Sequence, residues 1–520
     1  MKLLIIIFIL ILIHVETSIC QVPGSSIFNY EGIHDIRLTF IQPDFWDSLL
    51  IYKEEGDQTG IYTYMSATVD FDGQIIDSTG VRLKGNSSYW APGKKKSIKL
   101  KFNEYVSGQK LDGLKKVNLN NNFNDPTLMR EKLFLDVLQK SNVYAPRCVY
   151  ARVYINDVYW GLYTLVDHVD KVFLLLNFND KSGNLYKGDK DPAMPCANLA
   201  YHTDPIEYRD CYTLETNEDV NDWSDLENLI DIINHTPLPE YHMGLSSVLN
   251  ATSFINAWAT NIVFVNVDSY VETGHNYYTY HNPISNKFEW ITWDVNEAFG
   301  LWNVGMPLEQ LYNLDLFYLP PEAEFFRPLS YFMLQVPVFR KMYTDKVYEL
   351  VCTEFNPEIL FPKIEGLYSL IRDDVYSDSN KIISTQNFET NIHEDILIPD
   401  YPGWVPGLKS FIQQRHDILI SRLSELGYSF PCIINSIYSE RYDDISIYPN
   451  PTNYCINLDA KYSIDKTILI EILNTNGQIL ESKELNENIE NIDISSYAKG
   501  IYFIKFIFEN STKTEKIIKF

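Results

Sequence analysis

The sequence has few positive charges, few cysteines and, beyond its first residues, no long apolar run. Its 520 residues contain 43 Lys and Arg against 69 Asp and Glu, which gives a formal net charge of −26 at pH 7. So acidic a surface argues against nucleic acid as a partner. None of the 7 cysteines belongs to a CxxC pair, so we expect no zinc site. Aromatic residues make up 14% of the chain, which is typical of a protein with a folded core.

The single long apolar run lies at the start of the chain and ends at His14. It is too short for a comfortable membrane span, and residues 1–20 are therefore predicted to be a secretory signal peptide that is cut near Cys20. No later segment is apolar for long enough to cross a bilayer, so we expect an exported mature chain without a transmembrane segment. In an oxidising compartment Cys196 and Cys211 could close a short loop, although sequence alone does not set the pairing.

The remaining chain divides into three parts by its pattern. Residues 28 to about 190 alternate strand-like runs with turns, for example at Ser66–Phe71, Thr79–Leu83, Ser97–Phe102 and Val149–Ile155. Residues 225–430 are predicted to be mostly helical, with a last helix that stops at Gly427. Residues 445–520 carry short strands at regular spacing, which predicts a small C-terminal β-sandwich after a linker at 433–444. The pattern indicates an α+β fold with two lobes, a cleft between them and a separate C-terminal domain.

One helix is predicted inside the strand-rich part. Asp125 is expected to cap it, Pro126 to occupy its first turn, and Met129, Leu133 and Val137 to form its apolar face.

Residues 266–300 carry the strongest chemical signal. Asp268 and Asp294 flank two predicted strands, Asn276–His281 and Lys287–Thr292, which are joined by the turn sequence Asn-Pro-Ile-Ser-Asn. A hairpin brings its two ends together, so Asp268 and the pair His275 and Asn276 should lie close to Asp294. Two carboxylates and an amide oxygen suit a hard cation such as Mg²⁺ and, through it, phosphate. The alternative for each Asp alone is a turn or a helix cap.

Two further segments could contribute to a nucleotide site. Val81–Phe102 contains the turn Gly85–Ser88 and then Lys94, Lys95 and Lys96 before a strand, a pattern that can bind phosphate but that also occurs on solvated surfaces. In Tyr154–Leu174, Tyr163 could line a nucleotide pocket or be an ordinary core residue.

Seven segments between about residues 65 and 300 occur in the same order as in a known family. No single segment is specific, so the resemblance rests on all seven together. They are LKGNSS (83–88), KKKSIKLKF (94–102), KKVNLNNNFNDPTLMREKL (115–133), YINDVYWGLYTLVDHVDKVFL (154–174), GNLYKG (183–188), VDSY with HNYYTY (267–280) and WITWDVNEAFG (290–300). Together they resemble the CotH kinase family of secreted or spore-coat atypical protein kinases. The resemblance implies a kinase-like domain over residues 28–430 that transfers the γ-phosphoryl group of ATP to Ser or Thr with Mg²⁺ or Mn²⁺.

The resemblance also implies roles for individual residues. Asp268 looks like the catalytic base that orients the acceptor hydroxyl, while Asp294 and Asn276 look like the metal ligands. Lys96, with Lys95 next, is the best candidate for the lysine that pairs with phosphate.

The resemblance also implies roles for other residues of the nucleotide site, and some of these residues differ from those usual in the family. Tyr163 and Trp293 would be pocket aromatics, and Asp167 would pair with the phosphate-binding lysine or the metal. Asp167 stands where the family usually has Glu, Asn296 where a second acid is common, and Lys84 where Arg is usual.

The last part of the chain resembles the type A sorting domain of the type IX secretion system. The resemblance rests on Tyr448–Thr452, the Asn474–Gly477 turn and Ile494–Tyr502. It implies that the secretion machinery is a partner and that the protein travels through the periplasm to the cell surface or medium.

Three functions remain open at this stage. The first is an extracytoplasmic kinase acting on a surface or secreted protein, and the retained Asp268 and Asp294 favour it. The second is a non-catalytic cell-surface binding or structural protein with a kinase-like fold, which the departures at Asp167 and Asn296 favour. A metal-dependent hydrolase acting on polysaccharide would share the carboxylates but leaves the lysine segment unexplained.

Overall fold

The first part of the chain is built from strands that close on themselves. Their bounds are β1 (Ile33–Thr39), β2 (Met65–Phe71), β3 (Gln74–Lys84), β4 (Ser97–Lys101), β5 (Lys116–Asn120), β6 (Cys148–Ile155) and β7 (Val158–Val166). In the computed structural model they form a closed barrel in the order β1-β2-β3-β4-β5-β7-β6, in which the parallel pair of β1 and β6 completes the ring. The strands predicted in this region correspond to β2, β3, β4 and β6.

The structure describes residues 22–188, 196–303, 305–399, 402–430, 445–460, 468–475, 477–485, 489–507 and 512–520. The predicted signal peptide at 1–20 and the predicted linker at 433–444 lie outside these residues.

Alternation along the barrel strands separates an apolar interior from a polar outer face. The buried interior residues of three neighbouring strands are Val81 and Leu83 in β3, Ile98 and Leu100 in β4, and Val117 and Leu119 in β5. Successive side chains of a strand point to opposite faces, so the residues between them lie outside the barrel. Several of those outer positions carry cations: Arg82 pairs across the sheet with Lys99, and Lys101 with Lys116, whereas Asn118 lies between Val117 and Leu119.

Helices accompany the barrel, namely α1 (Ser25–Phe28), α2 (Phe45–Thr59), α3 (Ser87–Trp90) and α4 (Arg130–Lys140). The helix predicted to be capped by Asp125, with Pro126 in its first turn, in fact begins at Arg130. Leu128 adopts a left-handed φ of 57°, which interrupts a helical path from Asp125. Asp125 instead accepts hydrogen bonds from the backbone N–H groups of Thr127 and Arg130 and forms a buried ion pair with the Arg130 guanidinium.

A second sheet follows the barrel in the order β11-β10-β8-β9. Its strands are β8 (Leu185–Lys187), β9 (Thr213–Leu214), β10 (Tyr277–Asn282) and β11 (Lys287–Thr292), and α5 (Lys171–Phe178), a 3₁₀ turn (Pro205–Glu207) and α6 (Tyr208–Cys211) lie between β7 and β9. The predicted hairpin is confirmed, because β10 and β11 are antiparallel with Tyr277 opposite Thr292.

Most of the remainder up to residue 430 is helical, as the sequence pattern predicts. The helices are α7 (Ser224–His235), α8 (Leu238–Val248), α9 (Ala251–Val263), α10 (Leu308–Tyr312), α11 (Ala323–Phe326), α12 (Pro328–Gln335), α13 (Pro337–Cys352), α14 (Pro357–Ser377), α15 (Thr385–Asn391) and α16 (Leu408–Glu425), with a short ladder of β12 (Ile396–Leu397) and β13 (Trp404–Val405). The last helix ends just before Gly427, whose φ is 91°. No described helix is long and apolar enough to cross a membrane.

The barrel is joined to the helical part by buried charges at the end of α14. Asp378 accepts a hydrogen bond from the Lys95 ammonium at 2.6 Å and another from the Leu162 backbone N–H at 3.2 Å. The side chains of Lys95 and Asp378 are 1% and 0% exposed, so this ion pair is removed from water. One turn earlier, Asp374 pairs with Arg152 of β6 at 2.5 Å.

The C-terminal unit, within residues 440–520, consists of two small sheets. The order is β14-β15-β18 in one and β17-β16-β19-β20 in the other, and the strands are β14 (Ile445–Tyr448), β15 (Cys455–Ala460), β16 (Ile468–Asn474), β17 (Ile479–Leu485), β18 (Ile489–Asp493), β19 (Gly500–Ile507) and β20 (Thr512–Lys519). Buried side chains of both sheets, among them Ile456, Ile472 and Phe506, form one apolar cluster. The predicted C-terminal β-structure is therefore confirmed.

We expect Asp378→Ala to lower the free energy of unfolding by about 3–5 kcal/mol, because it leaves the buried Lys95 ammonium without its counter-charge. Lys341→Ala is the control: its partner is Asp345 and the two side chains are 71% and 48% exposed, so stability should change little. Urea denaturation measures both. Equal stability of Asp378→Ala and the wild type would show that this ion pair does not hold the barrel to the helices.

Candidate functional site

Asp268 lies in a tight turn between α9 and β10. The turn opens at Val265, a β-branched residue with a left-handed φ of 47°, a conformation that such residues rarely adopt. The Asn276 side-chain amide donates to the Asp268 backbone carbonyl at 2.9 Å and to its carboxylate at 3.1 Å. The His275 ring nitrogen Nε2 is 2.8 Å from the other carboxylate oxygen. These contacts hold the Asp268 carboxylate in one orientation while its side chain stays 19% exposed.

The β10–β11 hairpin brings the end of this turn close to Asp294. The Asn276 carbonyl accepts a hydrogen bond from the backbone N–H of Trp293 at 3.2 Å, one residue before Asp294. Asn276 and Asp294 both have left-handed backbones, with φ of 60° and 52°. Asn and Asp tolerate this region better than other non-glycine residues, and such conformations concentrate at functional sites. The two ends of the hairpin therefore place an exposed Asp294 next to the residue that holds Asp268.

Asp294 lines a small cavity with Trp293, Asn120 and Glu131 of α4. The Asn120 amide donates to Glu131 at 2.6 Å, and its carbonyl oxygen accepts from the Lys84 ammonium at 2.7 Å. Burial and the negative charge of Asp294 raise the pKa of Glu131 to about 8. Burial lowers the pKa of Lys84, although the Asp294 and Glu131 carboxylates oppose that shift. Hydrogen bonds thus link Glu131, Asn120 and Lys84 beside Asp294.

Cations from the outer face of the barrel, together with Lys187 of β8, lie near His168. Burial, followed by the positive charges of Lys99, Lys116, Lys84 and Lys187, lowers the pKa of His168 well below its usual value. Burial and the charges of Arg82, Lys116 and Lys84 likewise lower the pKa of Lys99. In a chain of net charge −26, this cation cluster (Arg82, Lys84, Lys99, Lys116 and Lys187) is a local basic site suited to an anion.

Comparisons with known proteins identify the family of the chain. Residues 81–419, well over half of the chain, match the CotH kinase protein family. The chain belongs to this family. The inner spore coat protein H of Bacillus subtilis (strain 168) is 25% identical over 297 residues, which is 57% of the chain and 78% of that protein. Residues 446–520 match the secretion system C-terminal sorting domain.

A solved structure, that of the Helicobacter pylori proinflammatory kinase CtkA, aligns with 71% of the chain and 94% of its own length. Its sequence identity is 11% and its TM-score is 0.30, a similarity too weak to transfer the arrangement of a site.

The donors present fit the hard cation that CotH kinases are expected to use. Asp268, Asn276 and Asp294 offer carboxylate and amide oxygens, which are the ligands of Mg²⁺ and Mn²⁺. Within the described ranges, no group of three or more His, Cys, Asp or Glu side chains could hold a metal by itself. A cation at this CotH site would therefore depend on the amide of Asn276 and on oxygens of its substrate.

The structure gives the predicted phosphate-binding lysines other contacts. Lys95 is buried against Asp378, as described above. Lys96 donates to the Ala91 carbonyl at 2.5 Å and lies 5.4 Å from the centre of the Tyr89 ring. For Lys96 the reason is alternation, because it shares its phase with Ile98 and Leu100, whose side chains fill the barrel. Lys95 has the phase of the outward Lys99 and is buried instead by its pairing with Asp378.

Two of the other predicted pocket residues also have different surroundings. Tyr163 is 0% exposed in the barrel core, where the sequence alternative of a core residue holds. Asp167 accepts two hydrogen bonds from the Arg147 guanidinium, at 2.9 and 2.6 Å, and not from Lys95 or Lys96. Trp293 does line the cavity of Asp294, and its ring centre is 5.8 Å from the Lys84 ammonium.

Sequence patterns did not single out Lys99, Lys116, Asn120, Glu131 or His168. The signal for Lys99 was present, since it occupies a polar position between Ile98 and Leu100 in a strand. No comparable signal marks Glu131, because a Glu near the start of a helix is ordinarily explained by the helix dipole.

Glu131→Gln should make stability less dependent on pH. The raised pKa of Glu131, from an ordinary 4.5 to about 8, means that the folded protein keeps a proton that the unfolded chain releases. Its contribution to stability is therefore lost as pH rises through this window. We expect the wild type to lose more unfolding free energy than Glu131→Gln between about pH 6 and pH 8, by up to about 1.4 kcal/mol per pH unit.

Urea denaturation without divalent metal, at several pH values, measures this difference. Glu289, whose pKa is raised to about 7 mainly by burial, contributes equally to both proteins and cancels in the comparison. Parallel pH profiles would show that Glu131 does not hold a proton in the folded protein.

Proposed function

We propose that the protein is an extracytoplasmic protein kinase that transfers the γ-phosphoryl group of ATP to a Ser or Thr of a surface or secreted protein. The observation that carries the proposal is the hydrogen-bonded arrangement of Asp268, His275 and Asn276 at one end of the hairpin whose other end carries Asp294. Family membership supports a kinase-type activity in general terms, and this arrangement supports the specific chemistry.

Asp268 is proposed as the base for the acceptor hydroxyl. Its carboxylate is partly exposed, and contacts from His275 and Asn276 fix its direction, so that one oxygen can accept the proton of a bound Ser or Thr. The fixed geometry reduces the entropy cost of aligning the hydroxyl with the γ-phosphorus.

Asp294 and Asn276 are proposed to hold Mg²⁺ or Mn²⁺. The bound cation would neutralise charge that develops on the phosphate oxygens during transfer. Both residues have left-handed backbones, which Asn and Asp adopt more readily than other residues with a side chain. Ligands held by a defined backbone conformation would need little reorganisation at the moment of reaction.

The phosphates of ATP are proposed to meet the cation cluster, with Lys84 and Lys99 as the principal residues in place of Lys95 and Lys96. Lys84 lies within 5.8 Å of the Trp293 ring and is electrostatically coupled to Asp294, which connects the cluster to the metal ligands. Burial keeps the pKa of both lysines below its ordinary value, and an incoming polyphosphate would favour their charged forms. Trp293 then becomes the wall of the nucleotide pocket.

We further propose that the barrel and the helical part act as the two lobes of a kinase-like fold, with the two C-terminal sheets forming a sandwich that serves the type IX secretion machinery. The match to the sorting domain supports export to the cell surface or medium. The route through the periplasm and the signal peptide at residues 1–20 belong to the same proposal.

The second candidate function is a non-catalytic surface protein that keeps the kinase-like fold. The pairing of Asp167 with Arg147 favours it, since that pair removes an acid that the family resemblance assigns to the nucleotide site. Such a protein would still require its fold, but it would transfer no phosphate.

Deleting residues 445–520 should abolish export and leave nucleotide binding intact. The C-terminal sheets bury their own apolar cluster, and the proposed site lies wholly within residues 23–439. Export is measured as the fraction of protein at the cell surface or in the medium, and nucleotide binding by titration calorimetry on the purified protein. Loss of nucleotide binding in the truncated protein would mean that the domain boundary is wrong.

Asp294→Asn should reduce phosphoryl transfer by at least about a hundredfold, because it removes charge where the transition state must be neutralised. Stability should change little or rise, since Asn tolerates the left-handed backbone and the repulsion of Glu131 disappears. Transfer is measured with labelled ATP and Mn²⁺ or Mg²⁺.

The matched control is Asp157→Asn, which makes the same chemical change at a carboxylate that is 94% exposed and outside the site. It should transfer phosphate like the wild type. Equal transfer by the wild type and Asp294→Asn, or none by either with both metals, would favour the non-catalytic protein.

A further inference from the structure

A disulfide bridge closes a loop that contacts the turn containing Asp268. Cys196 and Cys211 are bonded, with Cα atoms 5.1 Å apart, and they close a loop in which the two cysteines are separated by 15 positions. Cys211 ends α6 and is buried, while Cys196 is half-buried. The residues next to the two cysteines, Ala197 and Tyr212, are both buried.

Two tyrosines of the Asp268 turn are anchored on this loop. The Tyr277 hydroxyl, one residue after Asn276, donates to the Ala197 carbonyl at 2.7 Å. The Tyr270 hydroxyl, two residues after Asp268, donates to the Asn198 carbonyl at 3.3 Å. The loop therefore contacts the turn just after Asp268 and again just after Asn276.

The other end of the bridge reaches the same tyrosine. The hydroxyl of Tyr212, which follows Cys211, is 3.1 Å from the Tyr277 hydroxyl and also accepts from the backbone N–H of Leu199 at 3.2 Å. Tyr212 and Tyr277 are 2% and 1% exposed, so water cannot replace these bonds without opening the core. Tyr277 is held by the Ala197 carbonyl and the Tyr212 hydroxyl, and the bridge limits how far these two groups can move apart.

Elsewhere the turn is held by Arg327, which donates to the Glu272 carbonyl from the middle of the turn. Gly274 lies so close to this guanidinium that a Cβ atom there would come within 3.0 Å of it. Arg327 fixes the middle of the turn, whereas the tyrosines fix its ends, and Asp268 and Asn276 are at the ends.

We infer that the Cys196–Cys211 bridge positions Asp268 and Asn276, so that the site binds its metal and nucleotide well only after the bridge has closed. The inference rests on the proposed function for its ligand, Mn²⁺ with ATP. It makes the enzyme weak in a reducing cytoplasm, where ATP is plentiful, and competent once the chain has entered an oxidising compartment.

The chemical step is ordinary thiol–disulfide exchange. On closing, the two thiols lose two protons and two electrons, and an oxidant of the disulfide class takes up both to become a dithiol. On opening, a dithiol reductant supplies two electrons and two protons, the sulfur–sulfur bond breaks, two thiols form and the reductant becomes a cyclic disulfide.

The test compares the wild type with the Cys196→Ser/Cys211→Ser double variant in the full chain. We expect about tenfold weaker binding of Mn²⁺–ATP by the double variant, the size of loss usual when a residue that orients a metal ligand is changed. Amide hydrogen exchange over residues 266–277 should be faster, while residues of α13 exchange at the wild-type rate. Dithiothreitol should weaken binding by the wild type to the level of the double variant, and reoxidation should restore it.

Three control variants separate the bridge from general damage. Tyr277→Phe keeps the ring stacked on Trp290, at 4.0 Å, but removes the hydroxyl, and it should weaken binding with the bridge intact. Tyr241→Phe changes another buried tyrosine whose hydroxyl has no hydrogen-bond partner in the described part of the chain, and it should bind like the wild type. Cys352→Ser breaks a different disulfide and should also leave binding unchanged.

Unchanged exchange over residues 266–277 in the double variant would overturn the inference, as would unchanged Mn²⁺–ATP affinity in a folded double variant. If the wild type binds no Mn²⁺–ATP, the proposed function is wrong, and the exchange measurement alone then decides whether the bridge orders the turn.

Discussion

Strand alternation in the closed barrel is the constraint on which the rest of the site depends. Because Val81, Leu83, Ile98 and Leu100 must fill the interior, the residues between them are forced onto the outer face. Among those residues, Arg82 and Lys99 are paired cations of β3 and β4, and the charges of Lys99, Lys116 and Lys84 act on His168. The charge that suits the protein to an anion is thus a direct product of how its core is packed.

The parts of the molecule that sequence predicted well are governed by local periodicity. The hairpin was predicted to within one residue, because alternating aromatic strands flank a turn of Asn, Pro and Ser. The last helix and the C-terminal strands followed from equally regular patterns. Since a hairpin joins its own ends, the proximity of Asn276 to the residue before Asp294 could also be predicted without any knowledge of the remaining fold.

What could not be predicted depends on contacts between distant parts of the chain. Lys95 is separated by 283 positions from Asp378, and nothing near either residue marks them as partners. Asp167 pairs with Arg147 because Arg147 precedes β6, Asp167 follows β7, and these two strands are neighbours in the barrel. Burial, followed by the charge of Asp294 from a distant part of the chain, raises the pKa of Glu131. For Lys96 the sequence does carry the information, because Lys96 shares the phase of the inward-facing Ile98 and Leu100.

The left-handed backbones of Asn276 and Asp294 also bear on how this protein can evolve. Among residues with a side chain, Asn and Asp are those that most readily adopt this conformation, so each position can exchange with the other type at small cost to the fold. A replacement of Asp294 by Asn would then survive selection for folding and export while removing the charge that the proposed chemistry needs. Catalytic and non-catalytic proteins with this fold can therefore differ only at Asp294. Conservation of the fold does not by itself show that the reaction is conserved.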